Sequence, residues 1–536
     1  MKIEFVGGAR SVTGSSYILR DNDFTIMIDC GMFQGKRELR DRNFMPLIYN
    51  PSSIDAVLLT HAHIDHSGLL PKLVKTGFSK KIYATKATCD LCSVMLPDSA
   101  HIQEMDIKYL NKKNKKLNRD IIEPLYTVKD AEETLKYLVN VDYGNIVQIH
   151  PRIKARFRDA GHILGSSIIE LWITSSDLKK GTTKIVFSGD IGPKDQAIVR
   201  DPEIIDEADI LIIESTYGNR LHKSKQDTYR EFKEIINNAY NNKGNIIIPA
   251  FAIERTQEII YTLAQLFDKK EIPSIPVYID SPLAISATKI FQNNSNCFDE
   301  DMKKILLNGN SPLDFPSLHY TQTTEDSKHL NEQAAGSIII SASGMCTAGR
   351  IKHHLKYNLY KPDSSIVFVG FQAEGTLGRK LIDGASQVKL YGEDIAVRAK
   401  IYTLGGFSAH ADMNGLIEWI GNIKNRNLKV FVVHGELDSS MHLADKIRSE
   451  MGYTVYVPEW GEIVEIPAYR SEIANYGKID SYTSIDREIE ALQESFASLM
   501  KRYQNAKKQN HRINIKALEE DFNDVREMLS MISDDL

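Results

Sequence analysis

Residues 58–68 read Leu-Leu-Thr-His-Ala-His-Ile-Asp-His-Ser-Gly. Three of the chain's 15 histidines and one aspartate fall between His61 and His66, directly after the apolar run Ala56–Leu59. A buried strand that feeds a loop can aim several side chains at one point. Imidazole nitrogen and carboxylate oxygen suit zinc and related ions. His61 and His63, two apart, can serve one ion, while Asp65 and His66 can turn to a second. Further donors stand at other expected element ends: His162 in DAGHILGSS (159–167), Asp190 in FSGDIG (187–192) and His434 in VVHGE (432–436). With these the chain offers enough ligands for a pair of ions, one of the ligands bridging. His101, His150, His353 and His354 read as structural.

The elements around this cluster form an α/β pattern. Strands are expected at Lys2–Val6, Ser16–Leu19, Thr25–Asp29, Ala56–Thr60, Ile185–Gly189 and Ile210–Glu214, and a helix at Gly68–Thr76. From about residue 215 to 395 strands and helices alternate again, with strands at Asn245–Pro249, Val277–Ile279, Ser337–Ser341 and Ile366–Gly370, which suggests a second sheet. Strand Lys429–His434 ends in another histidine. In the tail, Ile485, Ile489, Leu492, Phe496, Leu499 and Tyr503, then Leu518, Phe522, Val525, Leu529 and Ile532, mark two amphipathic helices. Packing on the body is their simpler use; a homodimer or protein-partner surface is the other.

Composition limits the class. At 536 residues the chain exceeds one ordinary core, so two or three domains are expected. Hydrophobic residues make up 42% and charged residues 26%, as in soluble globular proteins. No apolar run approaches the ~20 residues of a membrane span. The opening MKIEFVGGARS has no signal-peptide pattern. Five cysteines suit a reduced cytoplasm, and the Cys89–Cys92 pair has no second pair at zinc spacing. A net charge of −5 argues against a protein coated with nucleic acid, though not against an enzyme gripping a few phosphates in a cleft.

The motif set as a whole resembles a known family. Leu58–Gly68, DAGHILGSS, FSGDIG and the opening GGARSVTGSS look like the metallo-β-lactamase fold. Leu125-Tyr126-Thr127, Glu214–Gly218, PAFAIERTQE (249–258), DSPLA (280–284), SASGMCTAGR (341–350), GFQAEGTLGR (370–379), GGFSAHAD (405–412) and VVHGE narrow it to the β-CASP nucleases. The group most similar is the RNA-processing branch, with the endonuclease subunit of the eukaryotic cleavage and polyadenylation factor and its bacterial relatives. The resemblance implies a metallo-β-lactamase αββα sandwich (1–205 and 396–467), an inserted β-CASP α/β domain (206–395) and a C-terminal helical extension (468–536). It assigns His61, His63 and His162 to a first zinc, Asp65, His66 and His434 to a second, and Asp190 to both. Asp65, Glu214 and His410 form the catalytic set, with His410 as general acid and Glu214 orienting it. Asp29 reads as a residue that orients a ligand. Two zinc ions per chain are expected, with manganese as the alternative.

Arg255, Ser343, Gly344 and Arg350 are candidates for substrate phosphates, through guanidinium forks and backbone N–H groups; tight turns with a structural arginine are the other reading. Arg152, Lys154, Arg156 and Arg158 alternate with apolar residues and define one basic strand face. Asn111–Arg119 reads as a solvated connector. The expected function is a cytoplasmic, zinc-dependent ribonuclease that hydrolyses phosphodiester bonds of single-stranded RNA by a two-metal mechanism, in RNA processing or decay. A DNA nuclease of the same superfamily and a small-molecule (thio)ester hydrolase are the alternatives. DNA-acting relatives typically carry valine where His434 stands.

Overall fold

The computed structural model describes residues 1–117, 120–176, 181–307, 313–333 and 336–466. The two tail helices read from the sequence lie outside the described residues.

Period-two alternation builds the first half of the molecule. In Lys2–Gly7, Ile3 and Phe5 are buried, and in Ser16–Asp21 Tyr17 and Leu19 face the same way. In Ile153–Asp159, Ile153, Ala155 and Phe157 point inward, while Lys154 is exposed and Arg156 and Arg158 are half-buried. These apolar faces meet between two seven-stranded sheets. Phe5 packs on Phe431 with ring centroids 5.4 Å apart, and Tyr17 on Phe187 at 5.9 Å.

The first sheet runs Glu462–Glu465, Lys2–Gly7, Ser16–Asp21, Phe24–Ile28, Ala56–Leu58, Lys81–Thr85, Leu138–Val141. The second runs Thr454–Tyr456, Lys429–Val433, Ile210–Glu214, Thr182–Phe187, Ser167–Thr174, Ile153–Asp159, Ile146–His150. The late segment thus completes both sheets: Lys2 opposes Glu465, and Ile210 opposes Lys429. Apolar clusters on the outer faces are covered by helices, giving the αββα arrangement.

A third, six-stranded sheet is wholly parallel, in the order Leu318–Tyr320, Val277–Ile279, Ile338–Ser341, Ile246–Pro249, Ser365–Phe368, Lys400–Thr403. Its central strands are buried on both faces, Ile246 and Ile248 in one cluster and Ile247 in another, as expected for a parallel sheet covered by helices.

Strand pairing corrects the expected domain boundaries. Ile210–Glu214 pairs in parallel with Thr182–Phe187 and with Lys429–Val433, so the sandwich continues through Glu214 rather than ending at 205. Lys400–Thr403 pairs with Ser365–Phe368, so the inserted sheet extends past 395. A short apolar run carries no mark of the sheet it joins. The expected connector also changes: Asn111–Lys116 is the end of a 31-residue helix, Lys86–Lys116. Lysines are good helix formers even where nothing covers them. The basic strand face is answered by carboxylates, with Arg152 on Asp21 and Asp23, Arg156 on Glu170 and Arg158 on Glu203. Cys89 and Cys92 are buried in the apolar core.

Candidate metal centre

Strand Ala56–Leu58 delivers the chain to His61 and His63, and one helical turn, Ile64–Ser67, carries Asp65 and His66. The turn can lie this close to the strand ends because Gly31 has no side chain: a Cβ there would stand 1.7 Å from the Asp65 carbonyl oxygen. His162 arrives in the loop after Ile153–Asp159, Asp190 after Thr182–Phe187, and His434 after Lys429–Val433. All come from carboxyl ends of strands in the two packed sheets.

The donor atoms divide into two sets around Asp190. His61 Nε2, His63 Nδ1 and His162 Nε2 stand 3.2 and 3.1 Å apart in sequence, and Asp190 Oδ2 lies 3.5 Å from His61 Nε2 and 3.6 Å from His162 Nε2. Asp190 Oδ1 faces the other way, 3.4 Å from His66 Nε2 and 3.5 Å from His434 Nε2. Asp65, His66 and His434 each place a ligand atom within 4.8 Å of the others. Four donors at 2.0–2.1 Å around a tetrahedral zinc stand about 3.4 Å from one another. The first set matches that spacing. His66 Nε2 and Asp190 Oδ1 are buried and have no hydrogen-bond partner among the described residues. Buried polar atoms without partners, set among imidazoles and a carboxylate, fit a cation.

The opposite ring nitrogens are held from outside. Asp29, in a left-handed backbone conformation (φ 57°), accepts from Thr60 N–H and Thr60 Oγ1–H at 2.8 Å each and contacts His66 Nδ1 at 2.8 Å. His162 Nδ1 donates to the Ala409 carbonyl at 2.8 Å, His434 Nδ1 meets Ser15 Oγ at 2.6 Å, and His61 Nδ1 meets Thr60 Oγ1 at 3.1 Å. Holding the outer nitrogen fixes the ring and leaves the inner one free for a metal. Burial pushes His63 and His434 down to about 3, and His61 and His162 well below the ordinary imidazole range, so these rings are neutral.

Glu214 and His410 stand beside this cage. His410 Nδ1 lies 3.1 Å from both Glu214 oxygens and 3.9 Å from Asp190 Oδ2. Glu214 also accepts from Ile191 N–H at 2.7 Å and Thr216 N–H at 3.3 Å. Burial disfavours the His410 imidazolium, but Glu214, with Asp190 and Asp65, outweighs it and lifts the ring to about 9.

The inserted domain reaches the same place. The loops that follow Ile246–Pro249, Ile338–Ser341 and Ser365–Phe368 leave the carboxyl ends of its parallel strands. Phe251 sits 6.3 Å from the His63 ring, Gly344 packs on Phe251, and Phe371 contacts Tyr217, whose ring lies 6.1 Å from His410. The structure therefore brings together His61, His63, Asp65, His66, His162, Asp190, His434, Glu214 and His410.

The candidate phosphate residues fare differently. Arg255 is buried, pairs with Glu258 and keeps Nε without a partner. Ser343 Oγ accepts from Thr347 N–H and Ala348 N–H within its own loop. Arg350 is committed: Nη1 donates to Asp280 at 2.6 Å and to the Thr321 carbonyl, and Nη2 to the Gln322 carbonyl. His354 is structural as expected, bridging Asp280 and Asn331. Ser15, Thr60 and the Ala409 carbonyl hold ligand rings and were not read from the sequence. Ser15 sits in the VTGSS run of the opening motif GGARSVTGSS, which marked the fold but gave Ser15 itself no role.

A buried cage of histidine and carboxylate, split about a shared aspartate and flanked by a histidine–carboxylate pair on an αββα sandwich, defines a metallohydrolase centre. Comparison with known proteins agrees. Residues 10–96 match the metallo-β-lactamase superfamily model, residues 256–381 the β-CASP domain, and residues 394–458 the "Zn-dependent metallo-hydrolase RNA specificity domain". Ribonuclease TTHA0252 of Thermus thermophilus is 35% identical over 466 residues, covering 87% of this chain and 100% of that protein. The transcription termination factors FttA of Methanocaldococcus jannaschii and Methanothermobacter thermautotrophicus are 30% and 31% identical, covering 85% and 83% of this chain and 70% and 69% of theirs. The chain belongs to the β-CASP ribonucleases of the metallo-β-lactamase superfamily, a class of metal-dependent RNA hydrolases. No described helix is long and apolar enough to cross a membrane.

Proposed function

We propose that the protein is a zinc-dependent ribonuclease that hydrolyses single-stranded RNA with two metal ions per chain, in cytoplasmic RNA processing or decay. The observation that carries this reading is the division of Asp190, with Oδ2 toward His61 and His162 and Oδ1 toward His66 and His434. His61, His63 and His162 would hold one ion, Asp65, His66 and His434 the other, and Asp190 both. Nitrogen-rich, tetrahedrally spaced donors favour zinc over manganese, which prefers oxygen ligands. Bound ions would supply Lewis acidity, polarising a phosphoryl oxygen and lowering the pKa of the attacking water.

The chain's own groups do the rest. Glu214, itself held by two backbone N–H groups, fixes His410 Nδ1, so Nε2 is the ring's donor to the leaving oxygen. Arg255, with an unpartnered Nε, and the Gly344 backbone are the groups left to meet substrate phosphates. Arg350 acts as a brace on Asp280 instead. In this reading residues 1–214 and 404–466 form the catalytic sandwich and the insertion grips the polymer across the cleft.

The test is incubation of the protein, with zinc and then with manganese, with single-stranded RNA labelled at either end, beside a matched DNA and a His61→Ala control. RNA cleavage that disappears in the control supports the reading. DNA cut as fast as RNA would remove the RNA assignment, and two bound metals with neither polymer cut would overturn the nuclease itself.

A further inference from the structure

The chain leaves the central strand of the inserted sheet at Pro249 and turns toward the sandwich. At Glu254 the backbone takes φ 64° and ψ −58°, a conformation glycine adopts far more readily than any residue with a Cβ. The Glu254 side chain is buried. Its Oε2 accepts a hydrogen bond from Leu164 N–H at 3.1 Å, from a residue 90 positions earlier and across the domain boundary.

Leu164 lies two residues after His162. Three N–H groups before it are served from within the sandwich: Gly161 N–H by Asp159 Oδ1 at 3.0 Å, and His162 and Ile163 N–H by Ser166 Oγ at 3.1 and 3.2 Å. The Gly165 carbonyl accepts from the Thr85 and Thr88 hydroxyls. Leu164 N–H is thus the loop donor that the inserted domain satisfies. A strained backbone and a buried carboxyl fall on one residue, and the side-chain hydrogen bond it makes goes to the loop of a metal ligand.

We infer that Glu254 is a positioning residue for His162: by holding Leu164 N–H it fixes the loop that aims His162 Nε2 at Asp190, and it makes that aim depend on how the inserted domain sits on the sandwich. The inference rests on the two-ion reading above. Burial, with Glu258 nearby, pushes the Glu254 carboxyl up to about 8, so glutamine is a close stand-in for its neutral form. The required property is the acceptor oxygen, which glutamine keeps and alanine and glycine remove.

The experiment measures zinc binding of the full-length chain against chelator-buffered zinc, for wild type, Glu254→Gln, Glu254→Ala and Glu254→Gly. Glu254→Gln keeps both wild-type affinities. Glu254→Ala and Glu254→Gly weaken one of the two ions by about 10- to 100-fold, the range seen when a ligand's outer partner is lost, and leave the other unchanged. Glycine is the deciding arm and the least exposed to misfolding, because it suits φ 64°. A role confined to the backbone turn predicts wild-type zinc binding in Glu254→Gly. That result, or weakened zinc in Glu254→Gln, overturns the inference. A wild-type chain that binds fewer than two zinc ions instead sinks the two-ion reading itself.

Discussion

His410→Ala separates proton delivery from metal binding. The ring meets Glu214 doubly at 3.1 Å, packs on the His162 ring with centroids 4.5 Å apart and stands 3.9 Å from Asp190 Oδ2; its close donor atoms are those of Asp190 and Glu214, and it belongs to neither histidine set. Asp190 keeps its spacing to all four histidines without it. The variant should therefore bind zinc like wild type. A positioned general acid contributes on the order of 10²–10⁴ in rate, so kcat should fall by that factor, or about 2.7–5.4 kcal/mol of barrier. Single-turnover cleavage of a labelled RNA reads the loss. The decisive arm is an RNA with sulfur in place of the bridging leaving oxygen, since a thiolate departs without a proton. The gap between His410→Ala and wild type should shrink to within a few-fold on that substrate. An equal loss on both substrates, or loss of zinc from the variant, would refute the assignment.

Other substitutions probe the cage. Asp190→Ala removes the one carboxylate that faces both sets, so metal and activity should disappear together; stoichiometric zinc by elemental analysis would count against a shared ligand. Asp29→Ala removes the acceptor of Thr60 N–H and the 2.8 Å partner of His66 Nδ1 in a buried site; zinc affinity should drop about 10- to 100-fold and stability by about 1–3 kcal/mol per unsatisfied group, measured by chelator competition and denaturant melts. Gly31→Ala places a methyl 1.7 Å from the Asp65 carbonyl, so the turn carrying Asp65 and His66 must move. Overpacking of this kind destabilises by about 1–3 kcal/mol or more, and a variant with wild-type stability and metal content would show that the approach is not needed.

Several candidate ligands were legible because they sit at the end of an apolar run, where the sequence changes character abruptly, Leu58 to His61, Phe187 to Asp190 and Val433 to His434, whereas the division into two sets and the roles of Glu214 and His410 came from the motif resemblance. Side-chain type and spacing sufficed there. What was not legible depends on pairings distant in sequence. Nothing local tells that Ile210–Glu214 joins a strand more than two hundred residues later, or that Arg350 is taken by Asp280 and two carbonyls rather than left for a phosphate. The helix through Lys116 was missed because its second half buries almost nothing and so carries no apolar period. Ser15 and Thr60 offer hydroxyls common to any turn; only the neighbouring imidazoles give them a role. Glu254 is the extreme case, since both its backbone angle and its partner are properties of the assembled molecule.

The late strands carry a consequence for how the enzyme comes into being. Glu462–Glu465 closes on the first strand of the chain, Lys429–Val433 completes the second sheet, and His410 and His434 lie on the same returning segment. A growing chain that has emerged with HxHxDH, His162 and Asp190 still lacks His410, His434 and an edge of each sheet. The cage and both sheets are therefore complete only once this returning segment is in place, so the two ends of the chain must meet before the site exists.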